Sequence, residues 1–159
     1  METAMIVARD DCRNFETASK LEWLETDGNG GFAMGTVAGV NTRRYHGLLV
    51  AALRPPVARH VLLSRVEEEA IFDGRVFALG AAQYPGTVSP VGFQYLEEFR
   101  LDPGPVWTYG VEGATLEKRV FFAAGRTAVV VRYRANREGL LRLRLFLAFR
   151  EFHSLTHQN

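Results

Sequence analysis

The spacing of apolar side chains constrains the fold more than any other feature of this sequence, because it repeats every second residue. In the segment 115–122, apolar residues such as Leu116 alternate with charged residues such as Glu117. Successive side chains of a strand point to opposite faces, so this pattern is typical of half-buried strands. The segments 127–136 and 140–150 repeat it, and we expect the three strands to pair in order as a meander.

Turn signals divide the rest of the chain into further strands. The dipeptide Asp73-Gly74 predicts a tight hairpin, and a second hairpin is predicted around residues 103–105. The segment 84–93 contains two prolines and two glycines and should not be a central strand. One short helix is expected at residues 17–24. Together these patterns predict an all-β fold: a supersandwich-like antiparallel β-sandwich of about eight or nine strands, with at most one or two short helical turns.

Size and charge narrow the classes of function. The 159 residues, 47% of them hydrophobic, suffice for one core, and we expect a single domain spanning residues 1–159. With 19 Lys and Arg against 18 Asp and Glu, no field is expected to attract nucleic acid or a membrane. The apolar N-terminal stretch is interrupted at residues 9–11, so we expect no export signal. The single Cys12 suits a reducing cytoplasm.

Glycines cluster at residues 28–31 and predict a tight turn. A phosphate-binding loop needs Gly-Lys-Ser/Thr leading into a helix, and a dinucleotide fingerprint needs a strand, a turn and a helix. Neither context is present in the sequence. We therefore expect no nucleotide and no other cofactor.

Four polar side chains follow one another at Arg43, Arg44, Tyr45 and His46, directly before an apolar run that predicts a strand. If they begin that strand, Arg43 and Tyr45 share one face and Arg44 and His46 share the other. Each face would then place a guanidinium beside a ring, which suits sugar hydroxyls or a carboxylate. The alternative, which the spacing favours, is that the arginines pair with acids of the fold and His46 is buried and hydrogen-bonded.

A second polar cluster lies where the last predicted strand ends, at Arg150, Glu151, His153, His157 and Asn159. A zinc site needs about four converging ligands, and these histidines have neither cysteine partners nor an HExxH helix. We therefore expect no metal. A polar cluster at a strand end more often caps a sheet or contacts another domain, although it can also face a ligand.

No pair of carboxylates indicates a catalytic site. Glycoside hydrolysis needs two carboxyl groups across a cleft, whereas the adjacent Glu97 and Glu98 point to opposite faces of a strand. The run at residues 67–69 is interpreted as a solvated sheet edge. Aromatic residues on strands belong to the core more often than they stack on sugars, and a core position is expected for Trp23, Trp107, Tyr95 and Tyr109.

A family resemblance is carried by the segment 21–53, LEWLETDGNGGFAMGTVAGVNTRRYHGLLVAAL, and by VLLSRVEE at 61–68. These residues resemble the N-terminal domain of bacterial and archaeal glycogen debranching enzymes, the amylo-α-1,6-glucosidases. The resemblance continues, more loosely, through residues 147–157 and so covers nearly the whole chain. It implies a β-sandwich that precedes an (α/α)6 catalytic barrel, in an enzyme that hydrolyses α-1,6-linked glucose at the branch stubs of glycogen or related α-glucans.

In that family the general acid and base are carboxylates of the barrel, so the resemblance implies no catalytic residue here and an inactive isolated chain. The implied partners are an α-glucan such as glycogen and the downstream catalytic barrel. The resemblance also implies that the sequence stops before the β-domain of the family is complete. A role in substrate binding or domain packing is carried over to the matching residues Arg43, Arg44, Tyr45, His46, Arg150 and His153.

Two other functions stay open at this stage. The chain could be an independent carbohydrate-binding module, or a scaffold in which residues 43–46 maintain a buried network. An accessory domain of a glycosidase, in contrast, predicts an exposed apolar patch where another domain docks.

Overall fold

The computed structural model describes residues 5–155, which form two antiparallel sheets packed face to face and a separate two-stranded ribbon. The first sheet contains, in spatial order, β1 (Met5–Ala8), β9 (Leu96–Leu101), β10 (Pro105–Val111), β11 (Ala114–Phe122) and β12 (Val129–Ala135). The second contains β13 (Leu140–Glu151), β5 (Val57–Phe72), β4 (Gly47–Arg54), β3 (Phe32–Thr36) and β2 (Glu22–Thr26), with β6 (Arg75–Ala78) also paired to β5. The ribbon consists of β7 (Ala81–Tyr84) and β8 (Thr87–Val91). The predicted all-β antiparallel sandwich is confirmed.

Helical structure is limited to α1 (Arg9–Arg13), α2 (Phe15–Ala18) and a 3₁₀ turn (Gly92–Tyr95). The side chain of Asn14 accepts a hydrogen bond from the Thr17 N–H at 3.2 Å and so caps α2. The helix expected at residues 17–24 is therefore misplaced: α2 ends at Ala18, and β2 already begins at Glu22. Over residues 5–155, every helix lacks the length and the apolar character needed to traverse a lipid bilayer.

The hairpins with strong turn signals are confirmed. β5 and β6 are joined by Asp73 and Gly74, with φ angles of 50° and 76°, as a turn with two left-handed residues requires. β9 and β10 pair around residues 102–104. The segment 84–93 lies in no central strand and contributes instead to the β7–β8 ribbon.

The predicted meander of the last three strands is wrong in its final step. β11 and β12 pair as expected, with Val120 opposite Val131, but β13 crosses to the second sheet and pairs with β5. The connection between β12 and β13 is as short as a hairpin loop, so the local pattern favours a meander. The pairing observed instead joins Leu140 to Ile71 and continues to Glu151 opposite His60.

The carboxylates at residues 67–69 do not form a solvated edge, because β5 has β13 on one side and β4 or β6 on the other. Glu68 is only 3% exposed and faces the first sheet. There it contacts Lys118 Nζ at 2.5 Å and accepts a hydrogen bond from the Tyr133 hydroxyl at 2.7 Å. Glu69 faces outward and pairs with Arg142 at 2.7 Å. A buried carboxylate needs such partners, and here they link the two sheets.

The core between the sheets is centred on two tryptophans. Trp23 of β2 and Trp107 of β10 meet edge to face at 5.3 Å, and Phe99 contacts Trp107 at 5.1 Å. Trp107 Nε1 donates to the Val37 carbonyl at 3.0 Å, which satisfies its only polar atom. Tyr109 is also buried, so three of the four aromatic residues tested are core residues. The fourth, Tyr95, is partly buried and packs on that core.

Candidate functional site

Two turns bring the predicted site residues together: the turn between β3 and β4, and the turn that ends β13. Arg44 Nη1 donates to the His153 carbonyl oxygen at 3.0 Å, although the two residues are 109 positions apart. The Tyr45 hydroxyl lies 3.1 Å from His153 Nδ1. Arg150 Nη2 donates to the Arg44 carbonyl oxygen at 2.5 Å. The two polar clusters of the sequence are therefore one surface cluster in the fold.

The strand faces expected for residues 43–46 are wrong, because β4 begins only at Gly47. These residues form a turn, closed by a hydrogen bond from the His46 N–H to the Arg43 carbonyl oxygen at 3.0 Å. Arg43 pairs with Glu22 beside His46, and its guanidinium also lies 5.9 Å from the Tyr45 ring. The Arg44 guanidinium lies 5.2 Å from the same ring, so both arginines lie near Tyr45 instead of alternating between two faces.

His46 is 1% exposed and holds the turn from inside. Its Nδ1 accepts hydrogen bonds from the backbone N–H groups of Thr42 at 3.0 Å and Arg43 at 3.3 Å. Because Nδ1 accepts, the proton is on Nε2, which donates to Glu22 at 2.7 Å. Burial lowers the pKa of His46, against the opposing effect of Glu22. The imidazole is therefore neutral and fully hydrogen-bonded, as the buried alternative predicted.

Glu22 joins the turn to the start of β2. Besides His46, its carboxylate accepts a hydrogen bond from Arg43 Nη1 at 2.9 Å. Burial alone would raise the pKa of Glu22, but these hydrogen bonds outweigh it and hold the pKa below its usual value. Sequence reasoning missed Glu22 because its partners lie 21 and 24 residues away and its segment was taken as helical.

A cleft of about 510 Å³ opens beside this turn. Its floor is formed by apolar side chains of β2 and β3, including Phe32 and Met34, and two arginines and a tyrosine stand at its walls. The lining residues are Leu24, Thr26, Gly28, Gly30, Gly31, Phe32, Met34, Arg43, Tyr45 and Arg59. Such a combination of an apolar surface with a few oriented polar groups is typical of small-ligand sites.

Phe152 supports one wall of the cleft from behind. Its ring contacts Tyr45 at 5.3 Å and Phe32 at 6.4 Å between ring centres. The Arg59 guanidinium lies 5.7 Å from the same ring and donates to the Gly30 carbonyl oxygen at 2.6 Å. The only sequence signal for Phe152 is that it is an aromatic residue inside the C-terminal polar cluster.

The glycine-rich turn at residues 28–31 forms the end of the cleft. Its N–H groups at Asn29 and Gly31 donate to the Asp27 carboxylate at 2.7 and 2.9 Å. Burial would raise the pKa of Asp27, but hydrogen bonds, including one from Thr127, hold it below its usual value. These two N–H groups therefore already bind an anion of the protein itself and are not available to bind a phosphate.

Within residues 5–155, the lining of the cleft includes no carboxylate, and no group of three His, Cys, Asp or Glu is arranged to hold a metal ion. His157 and Asn159 of the C-terminal cluster lie outside the described residues. The chemistry offered by the cleft is thus hydrogen bonding from guanidinium and phenol groups together with apolar contact.

Comparison with known proteins gives one match. The family model described as the glycogen debranching enzyme N terminal matches residues 21–159, nearly the whole chain. It confirms the family resemblance that the segment 21–53 indicated. Neither the curated proteins nor the solved structures gave a match.

Proposed function

The chain belongs to the family of glycogen debranching enzyme N-terminal domains, and on that premise we propose that its cleft binds part of an α-glucan. In this proposal hydrolysis of the α-1,6 branch stub takes place on a separate catalytic barrel, against which this domain packs. The family supports the choice of an α-glucan as the ligand, and the cleft beside residues 43–46 is the place where we propose that it binds.

The observation that carries the proposal is the shape and chemistry of the cleft. A glucose ring has apolar C–H faces and a rim of hydroxyls, so it suits a site with an apolar floor and polar walls. Phe32 and Met34 offer the floor, and Arg43, Tyr45 and Arg59 offer donors at the walls. Because no carboxylate lines the cleft in the described part of the chain, the site suits binding better than glycoside cleavage.

The turn that bears these donors is fixed before any ligand arrives. His46 and Glu22 hold its backbone and the guanidinium of Arg43, while Arg150 and His153 hold it from the β13 side. Side chains that are already ordered lose less entropy when they bind a ligand. Arg150 and His153 therefore act as positioning residues in this proposal.

Titration of the isolated chain with a maltooligosaccharide tests the proposal. We expect saturable binding, weakened roughly ten-fold, or about 1.4 kcal/mol, by Tyr45→Ala. Tyr84→Ala is the matched control, because Tyr84 is 52% exposed on the β7–β8 ribbon and is not one of the residues that line the cleft. Absence of saturable binding would contradict sugar binding by the domain alone and leave the packing role.

A scaffold function is favoured by one observation, the pairing of Arg43 with Glu22 inside the chain. Arg43→Ala separates the two readings when it is introduced beside Tyr45→Ala. If the turn is only a scaffold, the variant lowers the melting temperature and leaves glucan affinity unchanged. If Arg43 contacts glucan, affinity falls even at temperatures where the variant is fully folded.

A further inference from the structure

A second cleft, of about 470 Å³, adjoins the turn at residues 42–46. It lies between α2, the start of β2, the turn itself and the end of β7. Its polar lining consists of Ser19, Lys20, Glu22, Thr42, Arg43 and Gln83. Arg43 also lines the first cleft, the one of about 510 Å³ beside Tyr45, so the two clefts share one side chain. Both volumes are typical of small-ligand sites.

The shared side chain of Arg43 is accessible to a ligand that extends across both clefts. It is 51% exposed, although its Nη1 donates to both oxygens of the Glu22 carboxylate, at 3.1 and 2.9 Å. Within residues 5–155, the side-chain hydrogen bonds of Arg43 all involve Nη1, so the N–H groups of Nε and Nη2 remain for a ligand. Arg43 is therefore held in place while it still offers donors.

The hydrogen-bonding groups of the two clefts are complementary. In the described part of the chain, the lining of the first cleft has two guanidinium groups and no carboxylate, whereas the second has the carboxylates of Glu16 and Glu22. A carboxylate accepts about four hydrogen bonds, and Glu22 accepts three from His46 and Arg43. One acceptor position thus remains on Glu22. Sugar hydroxyls both donate and accept, so a glucan suits the two clefts together.

The charges of the second cleft cancel in pairs. Lys20 pairs with Glu16 at 3.2 Å, and Arg43 pairs with Glu22 at 2.9 Å. A lining with balanced charge favours a neutral, hydroxyl-rich ligand over an anion or a cation. Phe15 adds an apolar surface, and its ring is held by Phe93 at 5.4 Å between ring centres. An aromatic ring bordered by polar groups suits the C–H face of a sugar.

We propose that the second cleft is a further glucan subsite, and that one α-glucan chain crosses Arg43 to occupy both clefts. This inference rests on the proposed function, because it takes the first cleft as the primary glucan site. The domain then selects glucans by length. A disaccharide occupies one cleft, whereas a longer chain gains the contacts of both without a second loss of translational freedom.

Calorimetric titration of the full chain with maltose and with maltoheptaose tests the proposal. We expect maltoheptaose to bind at least roughly ten-fold more tightly. Because a longer chain also offers more registers to a single cleft, the second cleft must be altered alone. Lys20→Ala combined with Gln83→Ala removes two exposed polar groups of that cleft. This double variant should weaken maltoheptaose binding roughly ten-fold and leave maltose binding unchanged.

The matched control is Gln94→Ala combined with Arg126→Ala, since both side chains are exposed and line neither cleft. Tyr45→Ala, in the first cleft, should weaken the binding of both sugars. If neither sugar binds the wild-type chain with saturation, the proposed function fails and this inference fails with it. If both sugars bind and the Lys20 and Gln83 double variant weakens neither, or weakens both equally, only the second subsite is overturned.

Discussion

A single buried side chain, His46, determines the shape of the turn at residues 42–46. Its imidazole accepts two backbone hydrogen bonds and donates one to Glu22. These bonds hold the backbone of the turn in place of the strand-to-strand hydrogen bonds of a sheet. The guanidinium of Arg43 and the phenol of Tyr45 reach the cleft only because the backbone is turned there. At the scale of residues, the site therefore depends on a histidine that does not itself line it.

Removal of this imidazole should be costly. His46→Ala leaves two backbone N–H groups without a partner, removes one of the two partners of Glu22 and opens a cavity, so we expect a loss of about 2–4 kcal/mol in the free energy of unfolding. Urea denaturation measures it. His153→Ala is the control at an exposed histidine, and we expect a much smaller effect there.

The buried imidazole of His46 should also make the stability of the fold depend on pH. Burial lowers the pKa of His46 in the folded chain from its ordinary value of 6.5, so below pH 6.5 the unfolded chain binds this proton more readily. Stability should therefore fall as the pH drops below 6.5, and Glu22 should add a second loss at lower pH as it protonates. In His46→Ala the first of these losses should disappear. A wild-type stability that is flat down to the acid range of Glu22 would contradict this.

At the scale of elements, local patterns predict what local forces decide. The alternation of side chains and the Asp73-Gly74 turn correctly predict the β5–β6 and β11–β12 hairpins, because each depends on neighbouring residues alone. The position of β13 depends on a pairing with β5 across about seventy residues, and nothing in either strand specifies the other. The prediction of a solvated edge at residues 67–69 was wrong for the same reason. The cations that pair with Glu68 and Glu69 come from strands distant in the sequence.

In the candidate site, too, the residues could be predicted from the sequence, whereas the contacts between distant residues could not. Residue types alone indicated Arg43 to His46 and Arg150 with His153, and the structure brings these groups into contact. Neither the turn nor the role of Glu22 could be predicted, because both follow from a hydrogen bond formed by a buried side chain after the sandwich assembles.

The glycine turn at the end of the cleft gives a prediction at this scale. A Cβ on Gly30 would lie 2.5 Å from the Pro56 carbonyl oxygen, whereas a Cβ on Gly28 would have no atom within 4 Å. Both glycines have positive φ angles, +95° and +78°, so replacement by alanine strains either backbone. Gly28→Ala should cost about 1–2 kcal/mol of stability, and Gly30→Ala about 1–3 kcal/mol more because of the steric overlap.

Thermal and urea unfolding of the two variants measure this difference directly. Because both substitutions carry the backbone strain, their difference reports the close approach of Pro56, in the turn between β4 and β5, to the glycine turn. Equal losses would mean that the turn and Pro56 can separate without cost.

At the scale of the whole molecule, the sandwich formed by residues 5–155 is packed on one side and open on the other. Leu141 packs against the core, whereas Leu145, four residues along the same face of β13, is 63% exposed. Leu141→Ala should therefore cost about 2 kcal/mol or more, and Leu145→Ala less than about 0.5 kcal/mol. Chemical denaturation of both variants provides the test. A large loss at Leu145 would show that this side is covered in solution.

The long strand β5 has a consequence for how the protein is made. A ribosome delivers β5 early, yet the partner for one of its edges, residues 140–151, emerges about seventy residues later. During that interval the strand carries an apolar face and unsatisfied backbone groups, which are the features that other nascent chains and chaperones recognise. We therefore expect the pairing of β5 with β13 to be a late step in the folding of this chain, after the local hairpins have closed.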